Sequence, residues 1–352
     1  MKLINLFDYE QAAQSKMRAS FFGYYAGGAG DEITLRENRT VFDSIKLRPR
    51  VLIDVSHRTL ETTILGHPTA LPVVIAPMAL AKLAHRKGEV AIATAAKKAG
   101  IIHCLSTLSS TSLETVASVG AANWFQLYIY KERGITTRLI ERAAAAGYKA
   151  LVLTVDTAVV GVRENLLRTG FRPPRGVKAE NFTEFYGAKA ALRLPAQFSP
   201  IDFDSSLTWD DLKWLIANSS LPVLVKGVLR GDDAKRAIDC GVAGIIVSNH
   251  GGRQLDTAVA GIKALPEVVA AVGAQTEVLV DGGIRRGTDI VKALALGARA
   301  VLVGRPVLWG LAVSAQKGVE QIFDVLKREL DIAMALCGCS SVGEIGPDLI
   351  TE

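Results

Sequence analysis

The sequence predicts an α/β fold, a (β/α)8 TIM barrel with an N-terminal helical and strand cap and a long loop after the fourth strand. Three observations point to it. Short runs rich in β-branched residues alternate with Ala-rich amphipathic stretches, eight strand–helix units result, and no GxGxxG motif follows the first run. A doubly wound open sheet is the alternative that this alternation permits, but eight units favour closure into a barrel.

The predicted strands are short apolar runs that end in polar or Gly-containing turns. In order they are VVIAP from Val73, HCLST from His103, WFQLYI from Trp124, ALVLTVD from Ala150, PVLVKGV from Pro222, GIIVSNHG from Gly244, EVLVDGG from Glu277 and AVLVGRP from Ala300. Helix-like stretches such as EVAIATAAKKAG and DIVKALALG follow most of them, and several end in Gly, as helix C-caps do. Right-handed crossovers and a parallel sheet are expected from this order.

We expect a single domain over residues 1–352, with a cap at 1–72 and the barrel at 73–352. The cap should supply helices and then strand pieces, VLIDVS and LETTILG, that cover the bottom of the barrel. An insertion at about 157–207 interrupts the cadence after the fourth strand. Placed there it would lie over the C-terminal mouth as a mobile cover, although a solvated loop also fits.

Composition narrows the class of protein. The chain is 49% hydrophobic and 6% aromatic, so its core is aliphatic, and 41 basic against 35 acidic residues leave a net charge of +6. The basic residues are scattered, which disfavours a nucleic-acid partner and suits an anionic small molecule. The four cysteines include only a lone CxC, so no metal site is expected. Without an apolar leader or a bilayer-length segment, we expect a cytoplasmic protein with no membrane partner.

Polar side chains cluster at the C-terminal ends of the predicted strands. In a barrel these ends meet at one face, where active sites form. The residues concerned are Ser106, Gln126, Tyr128, Thr154, Asp156, Lys226, Ser248, His250, Asp281 and Arg305.

His250 is the candidate base. It follows the apolar run GIIV, two glycines after it leave room above the strand, and Arg253 comes three residues later. A base beside a fixed guanidinium can hold a carboxylate and act on the adjacent carbon. Asp156 would orient the imidazole; its alternative role is to cap the insertion. The other histidines are interpreted as structural: His57, His67, His85 and His103.

Two segments suit a phosphate group. DGGIRRGTD follows the seventh strand and GRP follows the eighth, where barrels often bind phosphate through backbone N–H groups. The glycines could instead only form tight turns. The residues offered are Gly282, Gly283, Gly304, Arg285 and Arg305. Lys226 ends a buried run and needs an anionic partner, for which a negatively charged cofactor ring would serve.

These blocks resemble the FMN-dependent L-2-hydroxy-acid oxidase and dehydrogenase family, which includes glycolate and lactate oxidases. SNHGGRQLD matches the active-site signature of that family. YYAGGAGDEITLRENR, LRPRVLIDVS, PVVIAPMA, FQLYIYK, LTVDT, LVKGV, DGGIRRGTD and VGRPV resemble its other blocks, in the expected order. The resemblance spans essentially the whole chain. Within the family, the pattern of this sequence is closest to that of bacterial lactate oxidase-like members.

The resemblance implies a role for each matching residue. His250 would be the catalytic base, paired with Asp156. Substrate contacts would come from Tyr24, Arg253, Tyr128 and Arg163. FMN would lie against Pro77, Met78 and Ala79, with its ring contacted by Ser106, Gln126, Tyr128, Thr154, Lys226 and Ser248, and its phosphate by Asp281, Gly282, Gly283, Ile284, Arg285, Gly304 and Arg305.

Met78 and Leu108 stand where plant glycolate oxidases usually have Thr and Trp. By the resemblance both face the substituent on C2 of the substrate, so we expect (S)-lactate to be preferred, glycolate to be secondary, and O2 to be reduced to H2O2. A glycolate oxidase and an L-lactate dehydrogenase that uses a quinone or protein acceptor remain open. An FMN-binding barrel without catalysis is disfavoured by the complete set of site residues. Family members commonly form homotetramers or homo-octamers, which we expect here.

Overall fold

The computed structural model describes residues 2–190 and 203–351, and for residues 187–190 it describes the backbone alone. Ahead of the barrel the described residues form α1 (Leu6–Lys16), α2 (Ala19–Ala26), α3 (Ile33–Ser44), β1 (Lys46–Leu47), β2 (Thr62–Ile64) and β3 (His67–Thr69). A capping box starts α1: the Asn5 side chain accepts from the Asp8 backbone N–H, and the Asp8 carboxylate accepts from that of Asn5.

Eight parallel strands then close into a barrel in chain order, so the predicted fold class is confirmed. They are β4 (Val73–Ile75), β5 (Ile102–Ser106), β6 (Asn123–Leu127), β7 (Leu151–Thr154), β8 (Val223–Val228), β9 (Gly244–Val247), β10 (Glu277–Asp281) and β11 (Ala300–Val303). Each pairs with its neighbours in the chain, and β11 pairs with β4, which leaves no open edge. The open-sheet alternative is excluded.

Helices surround the barrel. In the described residues they are α4 (Gly88–Ala99), α5 (Leu113–Ala117), α6 (Arg133–Ala145), α7 (Glu164–Thr169), α8 (Thr183–Ala190), α9 (Trp209–Ala217), α10 (Gly231–Asp239), α11 (Gly261–Val272), α12 (Gly287–Ala295) and α13 (Arg305–Cys337). α13 is kinked at Ser314 and Ala315, and β12 (Ile350–Thr351) pairs with β1. None of these helices is both long and apolar enough to cross a membrane.

Strand residues alternate between two buried layers. One set faces the barrel interior and packs into a cluster that includes Val74, Cys104, Trp124 and Leu224. The other set, such as Val73 and Phe125, packs outward against the helices. Because successive strand side chains point to opposite faces, burial on both faces explains the near-continuous apolar runs of the sequence.

The hairpin β2–β3 covers the bottom of the barrel. Ile64 joins the interior cluster, and the backbone N–H of Leu65 donates to the carboxylate of Glu277 at the start of β10 (2.8 Å). LETTILG therefore contains the expected strand. VLIDVS does not: its backbone is irregular, Leu52 has a φ of 60°, and Val51 and Leu52 are exposed. The preceding residues bond to the chain's C-terminal segment instead, through Arg48 N–H to the Leu349 carbonyl.

Part of the predicted insertion lies at the opposite end, over the mouth of the barrel. It contains α7, and Val160, Arg163 and Leu166 line the mouth cavity. The whole of α8 also falls within the predicted insertion, and Glu184 of α8 forms an ion pair with Arg138 of α6 (2.9 Å). Residues 191–202 of the predicted insertion lie outside the described residues. The proposed mobility of this cover stays a prediction.

Candidate active site

A cavity of about 220 Å³ opens at the C-terminal mouth of the barrel. The structure brings together there almost every residue singled out from the sequence. Those that line it are Tyr24, Pro77, Met78, Ala79, Ser106, Leu108, Gln126, Tyr128, Thr154, Arg163, Lys226, His250, Arg253, Asp281, Gly282, Gly283, Ile284, Arg285, Gly304 and Arg305. Asp156 and Ser248 stand behind the lining, where they bond to His250.

The floor of this cavity follows from the two-residue period of the strands. Each strand's inward positions are apolar through the barrel, and its last inward position continues that row at the mouth. These last positions are Ala76, Ser106, Gln126, Thr154, Lys226, Ser248, Asp281 and Gly304. The polar ring therefore sits directly above the apolar interior, because the same face of each strand supplies both.

Two hydrogen-bonded groups divide the polar ring. Ser106 Oγ donates to the side-chain oxygen Oε1 of Gln126 (3.2 Å), and Gln126 Nε2 donates to Thr154 Oγ1 (3.1 Å). On the other side Lys226 Nζ donates to Ser248 Oγ (2.7 Å) and lies 3.0 Å from Asp281 Oδ2. The protein itself thus supplies an anionic partner for Lys226, where the sequence argument invoked only a cofactor ring.

Lys226 is charged in this buried setting. Burial acts to lower its pKa, but the carboxylates of Asp281 and Asp156 outweigh burial and raise the pKa above its usual value. The second oxygen of Asp281, Oδ1, is buried without a hydrogen-bond partner in the described residues. A buried acceptor of this kind fits a hydroxyl-bearing ligand.

His250 and Asp156 form a dyad on one side of the cavity. His250 Nδ1 lies 2.8 Å from Asp156 Oδ1, and no helix begins until Glu164, so Asp156 pairs with His250 rather than capping a helix. Burial lowers the pKa of His250, although Asp156 opposes the shift; burial raises that of Asp156, but the His250 charge and hydrogen bond reverse this and leave it lowered. A neutral imidazole facing a carboxylate through Nδ1–H keeps Nε2 free to accept a proton.

The backbone at His250 is unusual for a residue with a Cβ. Its φ is 58°, and Gly251 and Gly252 continue in the left-handed region at 65° and 73°. Ser248 Oγ accepts from the His250 N–H (3.0 Å), which fixes the start of this turn. The turn aims the imidazole into the cavity at a conformational cost, as functional sites often do.

Arg253 lies beneath the aromatic ring of Tyr24, with 5.3 Å between its guanidinium carbon and the ring centroid. Its Nη1 donates to the backbone carbonyls of Tyr24, Tyr25 and Gly27 at 2.8–3.1 Å. Burial, together with the charges of Arg163 and Arg305, lowers the pKa of Arg253. A half-buried cation without a carboxylate partner in the described residues is suited to bind an anion.

Gln254 joins the insertion to the His250 turn. Its amide donates to the carbonyls of Asp156 (2.9 Å) and Val159 (3.0 Å), and its oxygen accepts from Gly161 N–H and from Arg163 Nη2. Arg163 also donates to the Arg253 carbonyl (3.3 Å). The start of the insertion is thereby fixed beside the dyad.

The glycine-rich segment after β10 makes a second anion-binding region. Gly282 and Gly283 have φ values of 102° and 80°, and a Cβ on Gly283 would lie 1.7 Å from the Asn38 carbonyl oxygen of α3. Arg285 and Arg305 face this region; burial first, then the neighbouring Arg285, lowers the pKa of Arg305 to about 10. Two arginines beside a backbone that only glycine tolerates fit a phosphate group.

Several lining residues were missed from the sequence. Tyr25 donates to the Leu80 carbonyl (2.7 Å), and its own carbonyl accepts from both Arg253 and Arg305. Its position beside Tyr24 was the available signal. Phe203, whose ring centroid lies 4.5 Å from that of Tyr128, lies near the end of the predicted insertion, and nothing local in the sequence marked it. Within the described residues, no cluster of His, Cys, Asp and Glu could hold a metal ion.

These features fit FMN. One cavity holds a polar ring with Lys226, an unpartnered Asp281 oxygen and a glycine-rich turn with two arginines, beside the His250–Asp156 dyad and the half-buried Arg253. Such a barrel is a flavin enzyme that acts on a small anion. The chain matches the family of FMN-dependent dehydrogenases over residues 13–352 and belongs to it, with FMN as its cofactor.

Individual relatives place the chain among FMN-dependent 2-hydroxy-acid oxidases. It is 56% identical to an L-lactate oxidase of Nostoc sp., with 97% of this chain and 96% of that protein covered. It is 47% identical to Glycolate oxidase 3 of Arabidopsis thaliana, with 98% and 95% covered. Among solved structures, a mandelate oxidase variant with (S)-mandelic acid has a TM-score of 0.91 at 44% identity, with 99% of this chain and 98% of that one covered.

Proposed function

We propose that this enzyme oxidises (S)-lactate to pyruvate and reduces O2 to H2O2, with glycolate as a secondary substrate. The reaction removes two electrons and two protons from the alcohol and delivers them to O2. The observation that carries the proposal is the His250–Asp156 dyad beside the half-buried Arg253 in the mouth cavity. When bound, FMN supplies the two-electron acceptor chemistry.

The substrate carboxylate is held by Arg253 and Tyr24. Arg253 is fixed by its three backbone carbonyl bonds, and Tyr24 is held between the guanidinium and the ring of Phe171, 4.7 Å away. A fixed guanidinium orients the carboxylate and excludes water from the charge pair. Tyr128, a buried phenol whose pKa burial raises, stays protonated and donates to the substrate hydroxyl.

His250 accepts the substrate proton at Nε2. Asp156 holds the imidazole through Nδ1 and stabilises the cation that forms, because its own lowered pKa keeps it ionised. Lys226 lies next to the dyad, because Ser248 Oγ accepts from both Lys226 Nζ and the His250 backbone N–H. Its positive charge would stabilise negative charge on a reduced flavin bound in this cavity.

Met78 and Leu108 support lactate as the preferred substrate. Both are partly buried and line the cavity, Met78 close to Gly304, where a Cβ would lie 3.9 Å from its Sδ. Leu in place of Trp leaves space for the methyl group on C2 of lactate, and Met in place of Thr offers that methyl a flexible apolar wall. The 56% identity to an L-lactate oxidase points the same way.

The experiment compares kcat/KM for lactate and glycolate with peroxide detection, aerobically and anaerobically with an artificial acceptor. One buried methyl is worth about 1–3 kcal/mol, so we expect a preference for lactate of about 10-fold or more. Met78→Thr with Leu108→Trp should move the ratio toward glycolate, and an unchanged ratio would assign specificity elsewhere. A clear glycolate preference in the wild type would favour glycolate oxidase, which the 47% identity to the Arabidopsis enzyme supports as second candidate.

Two further expectations belong to this proposal. The protein acts in the cytoplasm as a homotetramer or homo-octamer built from a single domain. Light scattering of the purified enzyme measures the assembly, and a monomer would contradict it.

A further inference from the structure

Glu89 is a buried carboxylate that the proposed reaction does not use. It lies in the first turn of α4, and 1% of its surface is exposed. Its Oε1 accepts from the backbone N–H of Ala81 (2.9 Å) and of Ser110 (2.8 Å). Hydroxyl groups also donate to it, Ser110 Oγ at 2.8 Å to Oε1 and Thr111 Oγ1 at 2.8 Å to Oε2.

Burying the carboxylate of Glu89 costs free energy, which its hydrogen bonds must offset. All these donors are neutral, and burial of a carboxylate is expensive without a full set of hydrogen bonds. The N-terminal turn of α4 adds a favourable helix dipole. The donors come from two separate loops, the one after β4, with Ala81, and the one after β5, with Ser110 and Thr111.

The same two loops carry the two residues that face the C2 substituent of the proposed substrate. Met78 is three residues before Ala81, and Leu108 is two before Ser110. The loops also bond directly, from Leu80 N–H to the Leu108 carbonyl (3.0 Å). Glu89 thus joins, from behind, the loops that form one wall of the cavity.

We propose that Glu89 is a positioning residue that sets the placement of Met78 relative to Leu108 and thereby tunes the choice between 2-hydroxy acids. This role rests on the proposed function, since it concerns selectivity at that site. Glu89 itself does not touch the cavity, so its effect passes through the two loops.

The chemistry of the donors predicts a graded series of variants. In Glu89→Gln the amide oxygen can still accept from both backbone N–H groups, while the new NH2 donates to Thr111, whose hydroxyl can rotate to accept. Glu89→Met keeps the approximate side-chain volume but leaves two buried N–H groups without an acceptor. The loops should therefore separate in the Met variant and stay together in the Gln variant.

The test measures kcat/KM for lactate and glycolate in both variants, together with FMN content and amide hydrogen exchange. In Glu89→Met we expect the lactate-to-glycolate ratio to move toward one by about fivefold or more, since a full methyl contact is worth about 10–200-fold. Exchange at Ala81 and Ser110 should speed up. Glu89→Gln should restore most of the ratio.

Asn123→Ala is the matched control. Asn123 is also buried and polar, but its Oδ1 lies 3.1 Å from Nδ1 of His103 at the bottom end of β5 and β6. It should lower the melting temperature and leave the ratio unchanged. Should Glu89→Met not fold, Thr111→Val removes one donor to Oε2 and should shift the ratio in the same direction by less.

Each outcome decides a different point. If amide hydrogen exchange at Ala81 and Ser110 is unchanged in Glu89→Met, Glu89 does not hold the two loops together. If exchange is faster but the lactate-to-glycolate ratio is unchanged, Glu89 does not tune selectivity. A shift of the ratio in Asn123→Ala equal to that in Glu89→Met would reduce Glu89 to a stability residue. A wild-type enzyme that oxidises neither acid would overturn the proposed function together with the selectivity role. The hydrogen-exchange data would still test whether Glu89 holds the two loops together.

Discussion

The bottom and the mouth of the barrel differ in how far their polar groups are satisfied by the protein itself. At the bottom, Ile64 of the hairpin packs into the apolar interior and Glu277 accepts from the Leu65 backbone. At the mouth, three consecutive residues from His250 are left-handed, and buried oxygens of Asp156 and Asp281 have no hydrogen-bond partner in the described residues. At the bottom the carboxylate of Glu277 bonds to the protein itself, whereas the mouth keeps carboxylate oxygens that can accept hydrogen bonds from a ligand.

This difference places unpartnered buried acceptors, which lower the stability of the folded protein, at the candidate active site. Left-handed backbone costs free energy at both ends, because Leu65 of the hairpin also has a positive φ, 48°. The unpartnered buried acceptors are the cost that distinguishes the mouth. They persist at the mouth because the closed barrel beneath it holds the strand ends in place. The comparison predicts that changes at the mouth alter cofactor or substrate chemistry, and that changes at the bottom alter stability alone.

The largest effect is expected for His250→Ala. Loss of a general base lowers the rate by about 10²–10⁴, so flavin reduction by lactate should slow by that factor while FMN stays bound. Rapid-mixing absorbance measures the rate. His57→Ala, at an exposed position, is the matched control and should reduce normally. Near-normal reduction in His250→Ala would remove it from the role of base.

The pH profile sharpens the same assignment. Burial lowers the pKa of His250 below its ordinary value of 6.5, although Asp156 opposes the shift. The neutral, active form therefore persists at pH 6.5, and kcat/KM should decline only at lower pH as Nε2 takes up a proton. A decline that begins well above pH 6.5 would contradict this.

Lys226→Met should have the next largest effect. Breaking a buried ion pair costs about 3–5 kcal/mol, because Asp281 is left without its cation. The reduction potential of bound FMN should fall and sulfite addition should weaken, since positive charge near the ring is lost. Adding Asp281→Asn should recover part of the stability, because the unpaired carboxylate is then removed. A potential equal to that of the wild type would exclude the role in charge stabilisation.

The smallest effect is expected at the bottom, for Gly66→Ala. Gly66 has a φ of 75°, and a Cβ there meets no atom within 4 Å. Only the left-handed conformation is penalised, by about 1–2 kcal/mol, so the melting temperature should fall slightly and kcat should not change. Gly283→Ala, which would meet the Asn38 carbonyl at 1.7 Å, should instead lose FMN. Equal effects on FMN binding would break the distinction between the two ends.

The sequence by itself determined the barrel and the position of its chemistry along each strand. Both depend on local patterns: a two-residue period sets which side chain of β8 or β10 faces inward, and glycines mark where the backbone turns after His250. Periodicity says little about segments that pack on the barrel. VLIDVS has the composition of a strand, yet the closed barrel offers it no edge to pair with, and it remains irregular.

Tertiary structure alone decided which of these groups meet. Lys226 pairs with Asp281, fifty-five residues later. The backbone carbonyl of Tyr25 accepts hydrogen bonds from Arg253 and Arg305, which follow it by 228 and 280 residues. Glu89 joins two loops, and Phe203, near the end of the predicted insertion, packs against Tyr128. Such contacts depend on closure of the barrel, which brings residues distant in the chain to within hydrogen-bond distance. No local propensity encodes that distance.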